Sequence, residues 1–164
     1  MHERAAEFAE LARDRHGVDL DVLEFDAGTE TAAAAADAVG CDTAAIASTI
    51  VVSLAEPERE TGAENLVAAI TSGANRLDLD AVAELFGAAS AEMADPGRIR
   101  EIVGWSIGGV PPICHDAALP TVFDPTLASY DTVYGAAGTP SAVFAIDPDD
   151  LADLAGATVV DVTE

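Results

Sequence analysis

The stretch Gly104-Trp105-Ser106-Ile107-Gly108-Gly109-Val110-Pro111-Pro112-Ile113-Cys114-His115 holds the residues whose types and spacing best suit chemistry. Paired glycines let backbone amides come close to a ligand, and paired prolines stiffen the chain that follows. Such a loop suits binding through main-chain donors, as in an oxyanion hole, better than attack by a side chain. An ordinary rigid connection is the competing explanation. Cys114 and His115 invite comparison with a cysteine nucleophile and its base, yet neighbours on a strand point to opposite faces. Three histidines (His2, His16, His115) and two cysteines (Cys41, Cys114) never fall at metal-ligand spacing, so no metal is expected. There is no nucleophile elbow and no glycine-rich nucleotide loop. Arg76, after the turn Ser72-Gly73-Ala74-Asn75, is placed to hold a phosphate; Arg98 and Arg100 fall on an exposed helix face. For each arginine, simple solvation is the alternative.

Elements to position these residues can be traced by periodicity. Residues 2–16 read as a helix stopped by Gly17, and Leu20 to Phe25 as a half-buried strand. Thr29 can cap a helix through Thr31–Val39 that ends at Gly40. Ile46 to Leu54 is a buried strand with Leu66 to Thr71 as its partner, and 55–65 a polar loop. Leu77–Phe86 and the segment from Asp95-Pro96 to Val103 are helical. Thr121–Phe123, Thr132–Ala136 and Ala142–Ile146 are short strands, followed by a helix from Asp147-Pro148 to Leu154 and a strand at Thr158–Val162. No repeat or linker divides the chain. The expectation is an α+β single domain over 1–164, with irregular alternation that disfavours a doubly wound parallel sheet.

Composition narrows the classes further. In 164 residues, 30 acids oppose 7 bases, all arginine, for a net charge of −23; half the residues are hydrophobic. That apolar content argues against disorder, and no apolar run reaches the ~18 residues of a membrane helix. Met1-His2-Glu3-Arg4 leads into mixed charge, so no secretory signal is expected, and free thiols fit a cytoplasmic protein. Evenly spread acids without lysine look like adaptation to a high-salt cytoplasm, where self-repulsion is screened. A binder of basic partners is the alternative. Nonspecific nucleic-acid binding, which needs lysines and arginines, is disfavoured.

Several segments together resemble one family. They are Ile46-Ala47-Ser48-Thr49-Ile50-Val51-Val52, Val67–Gly73 with Arg76, Gly108-Gly109-Val110-Pro111-Pro112, Phe123-Asp124-Pro125-Thr126-Leu127, Tyr134-Gly135-Ala136-Ala137-Gly138 and Asp149-Asp150-Leu151. Their order and spacing, from Ala32 to Val162, resemble the YbaK family, the prolyl-tRNA-synthetase-associated editing domain. The resemblance implies a mixed, curved, barrel-like sheet surrounded by helices, with residues 1–28 as an N-terminal helix and strand and 29–164 as the family core. It implies a trans-acting aminoacyl-tRNA deacylase, with the aminoacylated tRNA 3′ end as partner, a synthetase as a further one, and neither membrane nor DNA. Gly108, Gly109, Pro111 and Pro112 would form a backbone-lined site for the aminoacyl carbonyl and a water, assisted by the terminal adenosine hydroxyl. No protein nucleophile, metal or cofactor is implied. Ser48, Thr49, Arg76, His115, Asp124 and Gly138 would bind substrate.

Two positions depart from the family pattern. Ser48 stands where the family has a lysine gripping a phosphate of the 3′ end, and a hydroxyl lacks that charge. Either Arg76 takes over the phosphate or the ligand differs. Cys114 stands where close relatives have glycine. Two readings therefore remain at this stage: a deacylase, or a protein of the same fold that lost the activity and binds a small aminoacyl ligand or a protein partner. A cysteine hydrolase built on Cys114 is a distant third.

Overall fold

Thirteen helices and strands, all but one of them expected from these patterns, build the fold in the computed structural model, which describes residues 3–25, 31–55 and 65–164. They are α1 (Glu3–His16), β1 (Asp21–Glu24), α2 (Ala32–Val39), β2 (Ile46–Ala55), β3 (Leu66–Ser72), α3 (Leu79–Phe86) and β4 (Ser90–Met93). After these come α4 (Pro96–Val103), β5 (Thr121–Phe123), β6 (Val133–Ala136), β7 (Ala142–Ile146), α5 (Pro148–Ala155) and β8 (Thr158–Val159). Helix starts are capped by side chains: Thr31 accepts from the Ala34 amide at 3.1 Å, while Asp78, Asp95 and Asp147 do the same for α3, α4 and α5. Pro96 and Pro148 occupy first-turn positions. Thr29 and residues 56–64 of the expected polar loop lie outside the described residues. Among the described residues no helix is long and apolar enough to cross a membrane.

The strands form one mixed eight-stranded sheet ordered β1-β7-β6-β2-β3-β5-β8, with β4 added to β2. Both faces are covered. Alternation along β2 sends Ala47 and Val51 to the side packed by Phe8 of α1, Ile99 and Val103 of α4, and Leu151 of α5. Val52 and Leu54 go to the other side, against Val82 of α3. Ile46 and Val143 pack there on Ala35 and Ala36 of α2. All seven residues of β3 are buried, as befits a strand sandwiched between two layers. The polar 90–93 segment was not expected to be a strand. It has no β-branched residue and little burial, so its pairing with β2 comes from tertiary contact.

At the far ends of β3 and β5, Asp124 ties strand to loop. It is 1% exposed. Its Oδ2 accepts from the Ser72 amide (3.0 Å) and Asn75 Nδ2 (2.9 Å), and its Oδ1 from the Thr126 amide (2.9 Å). Burial pushes the carboxyl pKa up, but donation from Asn75, Ser72 and Thr126 outweighs it, so the pKa lies below its ordinary value. Ionised Asp124 thus stabilises the fold above the ordinary value of 3.8, and that contribution fades as pH falls below it through the depressed folded value. Asp124→Ala leaves three donors without their acceptor and is expected to cost about 3 kcal/mol in urea unfolding at neutral pH. The difference from the parent should shrink in melts run progressively below pH 4.

Candidate functional site

β2 is paired unequally along its two edges. β3 follows one edge from Ala47 to Ser53. On the other edge β6 pairs with Ile46 and Ala47, and β4 begins only at Val52. Ser48 to Val51 therefore border a gap. Hydrogen-bond parity fixes what faces it. Ile46 O accepts from Gly73 N on the β3 side at 2.8 Å, and Val51 O accepts from Ala94 N on the opposite side at 3.0 Å. Alternation then aims the Thr49 N–H and C=O into the gap.

A cavity of about 230 Å³ opens there, lined by both faces of β2 from Ile46 to Val51. Ala32 and Ala35 of α2 and Tyr134 of β6 bound one side; Ala94, Ile99, Ile107, Gly108 and Val110 bound the other. Among the described residues the lining contains no charged side chain. In a chain of net charge −23 that neutrality is a strong local contrast. The Thr49 Oγ1 is buried and has no hydrogen-bond partner among the described residues. A buried hydroxyl without a partner carries a penalty of about 1–3 kcal/mol.

The glycine-proline loop supplies one wall. Gly109 N donates to Ser106 O at 3.0 Å, and Gly108 has φ +92°, so Ser106–Gly109 is a turn of type II pattern needing glycine at its third position. Ile107 at the tip is 57% exposed beside the cavity mouth. Of the four loop residues expected to bind the carbonyl and water, Gly108 reaches the lining, whereas Gly109, Pro111 and Pro112 are buried behind it. Packing explains this. A Cβ on Gly109 would stand 2.9 Å from the Thr139 backbone, and Pro112 presses on Gly135 of β6.

Ser48 and Thr49 do reach the cavity. Arg76, His115, Asp124 and Gly138 do not, and each has a local reason. Arg76 is largely exposed, its Nε 3.9 Å from Glu164 Oε2. Asp124 is spent on the β3–β5 tie described above. Gly138, at φ +90°, lies against the Trp105 ring, where a Cβ would meet Cζ3 at 2.5 Å. The His115 Nε2 donates to Pro111 O at 2.6 Å, which fixes its proton on that nitrogen. Burial lowers the His115 pKa despite the Pro111 contact, favouring the neutral ring. Cys114 and His115 are not on a strand but in the loop. Cys114 sits in the left-handed region at φ +66°, which suits the glycine of the family pattern. Its buried thiol has a raised pKa, the wrong direction for a nucleophile. The sequence did not single out Tyr134, Ile99, Ile107 and the α2 alanines as lining. Only the spatial split in the sheet gathers them.

An aminoacyl-tRNA editing domain profile matches residues 26–154. The chain belongs to the aminoacyl-tRNA editing domain family. A crystal structure of a candidate trans-editing enzyme for prolyl-tRNA synthetase superposes with a TM-score of 0.89 at 35% identity, covering 100% of this chain and 99% of that one. The hypothetical protein APE2540 superposes at 0.80 with 28% identity, over 99% and 100% of the two chains. In Bacillus subtilis (strain 168), the uncharacterized protein YwhH is 28% identical over 137 residues, which is 82% of this editing-domain chain and 80% of YwhH. The mixed sheet with its surrounding helices is the YbaK-like fold that the sequence motifs implied. The editing-domain match includes β2, the gap and the loop, but begins after α1 and β1.

Proposed function

We propose that this chain hydrolyses mischarged aminoacyl-tRNA in trans, with the cavity at the β2 gap holding the aminoacyl ester. The observation that carries this reading is Thr49: its main-chain N–H and C=O face the gap in the sheet where the cavity opens, and its buried hydroxyl close by has no partner among the described residues. The main-chain N–H can donate to an ester carbonyl as water adds to its carbon and negative charge gathers on its oxygen. The C–O bond to the terminal ribose then breaks, the amino acid leaves as its acid, and the ribose oxygen takes a proton. The neighbouring ribose hydroxyl and water carry that proton. A synthetase, prolyl-tRNA synthetase being the one linked to the similar trans-editing structure, is the source of the mischarged substrate.

The test is hydrolysis of Ala-, Ser- and Cys-tRNA(Pro) in molar KCl, with circular dichroism in the same buffer to establish folding. Turnover of one member supports the reading; none from folded protein overturns it. Thr49→Val gives a second signature. Removing a buried hydroxyl without a partner should stabilise the fold by about 1 kcal/mol, while lost ligand contact lowers kcat/KM roughly 10-fold. A destabilised variant of undiminished activity would contradict the assignment. The lack of any cation among the described lining residues, with Ser48 in the lysine position, supports one alternative: a protein that binds an aminoacyl ligand without hydrolysing it. Saturable binding of a non-hydrolysable aminoacyl-adenosine without turnover distinguishes the two.

A further inference from the structure

Helix α1 lies outside the editing-domain match, yet its arginines hold both ends of the loop that walls the cavity. Arg4 donates to Gly104 O, and its guanidinium lies 4.0 Å from the centre of the Trp105 ring. Arg15 donates to His115 O at 2.8 Å. The two arginines are eleven residues apart, about three helical turns, so they project from one face of α1. Gly104 and His115 bracket the segment that contributes Ile107, Gly108 and Val110 to the cavity. Inside that bracket Trp105 Nε1 donates to Cys114 O at 2.9 Å, and Phe8 of α1 meets the Trp105 ring edge-on at 6.1 Å. The loop is thus clipped to itself at its base and to α1 at both ends.

We propose that Arg4 and Arg15 are positioning residues for the deacylation assigned above, setting the loop wall that faces Thr49 across the cavity. Neither arginine lines the cavity, so the effect passes through Gly104, Trp105 and His115. It rests on the deacylase reading for its catalytic half only, because the structural half has its own reporter. Trp105 is the chain's single tryptophan, and its fluorescence reports the loop alone.

The experiment compares the full chain with Arg15→Ala, Arg4→Ala and Arg15→Lys in molar KCl. Acrylamide quenching of Trp105 is expected to rise in Arg15→Ala, because Arg15 holds the His115 end of the loop. kcat should fall about 10-fold with KM little changed, well inside the roughly 100-fold that a 1 Å misplacement can cost. Arg15→Lys, which keeps a donor for His115 O, should recover most of both. Unchanged quenching in both alanine variants would overturn the proposal, as would raised quenching with unchanged kcat. If the parent hydrolyses none of the tRNAs, the deacylase reading and the catalytic role fall, while raised quenching would still support the clip itself.

Discussion

Ser48→Lys is expected to tighten aminoacyl-tRNA binding by roughly 10- to 150-fold, seen as a lower KM in steady-state deacylation. Ser48 borders a cavity whose described lining residues hold no charge, and Arg76 stands outside it, so no described lining residue can meet a phosphate with a full positive charge. A charge-assisted hydrogen bond contributes about 1.5–3 kcal/mol, which gives that range. Two controls make the result specific. The gain should diminish as KCl rises, because screening shortens from about 10 Å at 0.1 M to about 3 Å at 1 M. It should vanish for 3′-aminoacyl-adenosine, which has no phosphate. An equal KM for parent and variant would mean that the substrate's phosphate does not approach this part of β2.

Trp105→Ala should be the most damaging single change to the fold. The side chain is 2% exposed, with Arg4 over its ring, Phe8 at its edge and Gly138 close beside it. Truncating a buried tryptophan costs about 3–5 kcal/mol, and the Cys114 carbonyl also loses its donor. For a domain of this size the melting temperature should fall by of order 10 °C. Calorimetry in molar KCl reads this directly. A loss below about 1 kcal/mol would mean that the loop and α1 do not pack around this ring as described.

Much of the fold was legible because the signals were local. Asp95-Pro96 and Asp147-Pro148 announce helices α4 and α5, and the glycines at 40, 87, 104 and 156 end α2 to α5 in left-handed conformation. Thr121–Phe123 and Ala142–Ile146 stand where their β-branched and aromatic content put them. β4 was not legible, since Ser-Ala-Glu-Met has neither alternation nor propensity. That omission matters most for the site, because β4 is one of the two strands that define the gap. Ser48, Thr49 and Gly108 could be named from motifs. That Gly109, Pro111 and Pro112 would serve packing instead of the lining depends on Thr139 and Gly135, far along the chain, and no local pattern encodes it.

The interruption beside β2 also bears on how the molecule keeps to itself. An unpaired strand edge is ordinarily a template on which another chain can add a strand and begin aggregation. Here the stretch without a partner strand runs only from Ser48 to Val51, the Val51 carbonyl is already taken by the Ala94 amide, and β6 and β4 stand at its two ends as stops. A foreign strand would need to displace one of them before its own ladder could reach a useful length. A compact ligand meets no such barrier. The fold thus offers backbone groups to a small molecule while withholding them from a polypeptide, a form of discrimination that requires no side chain.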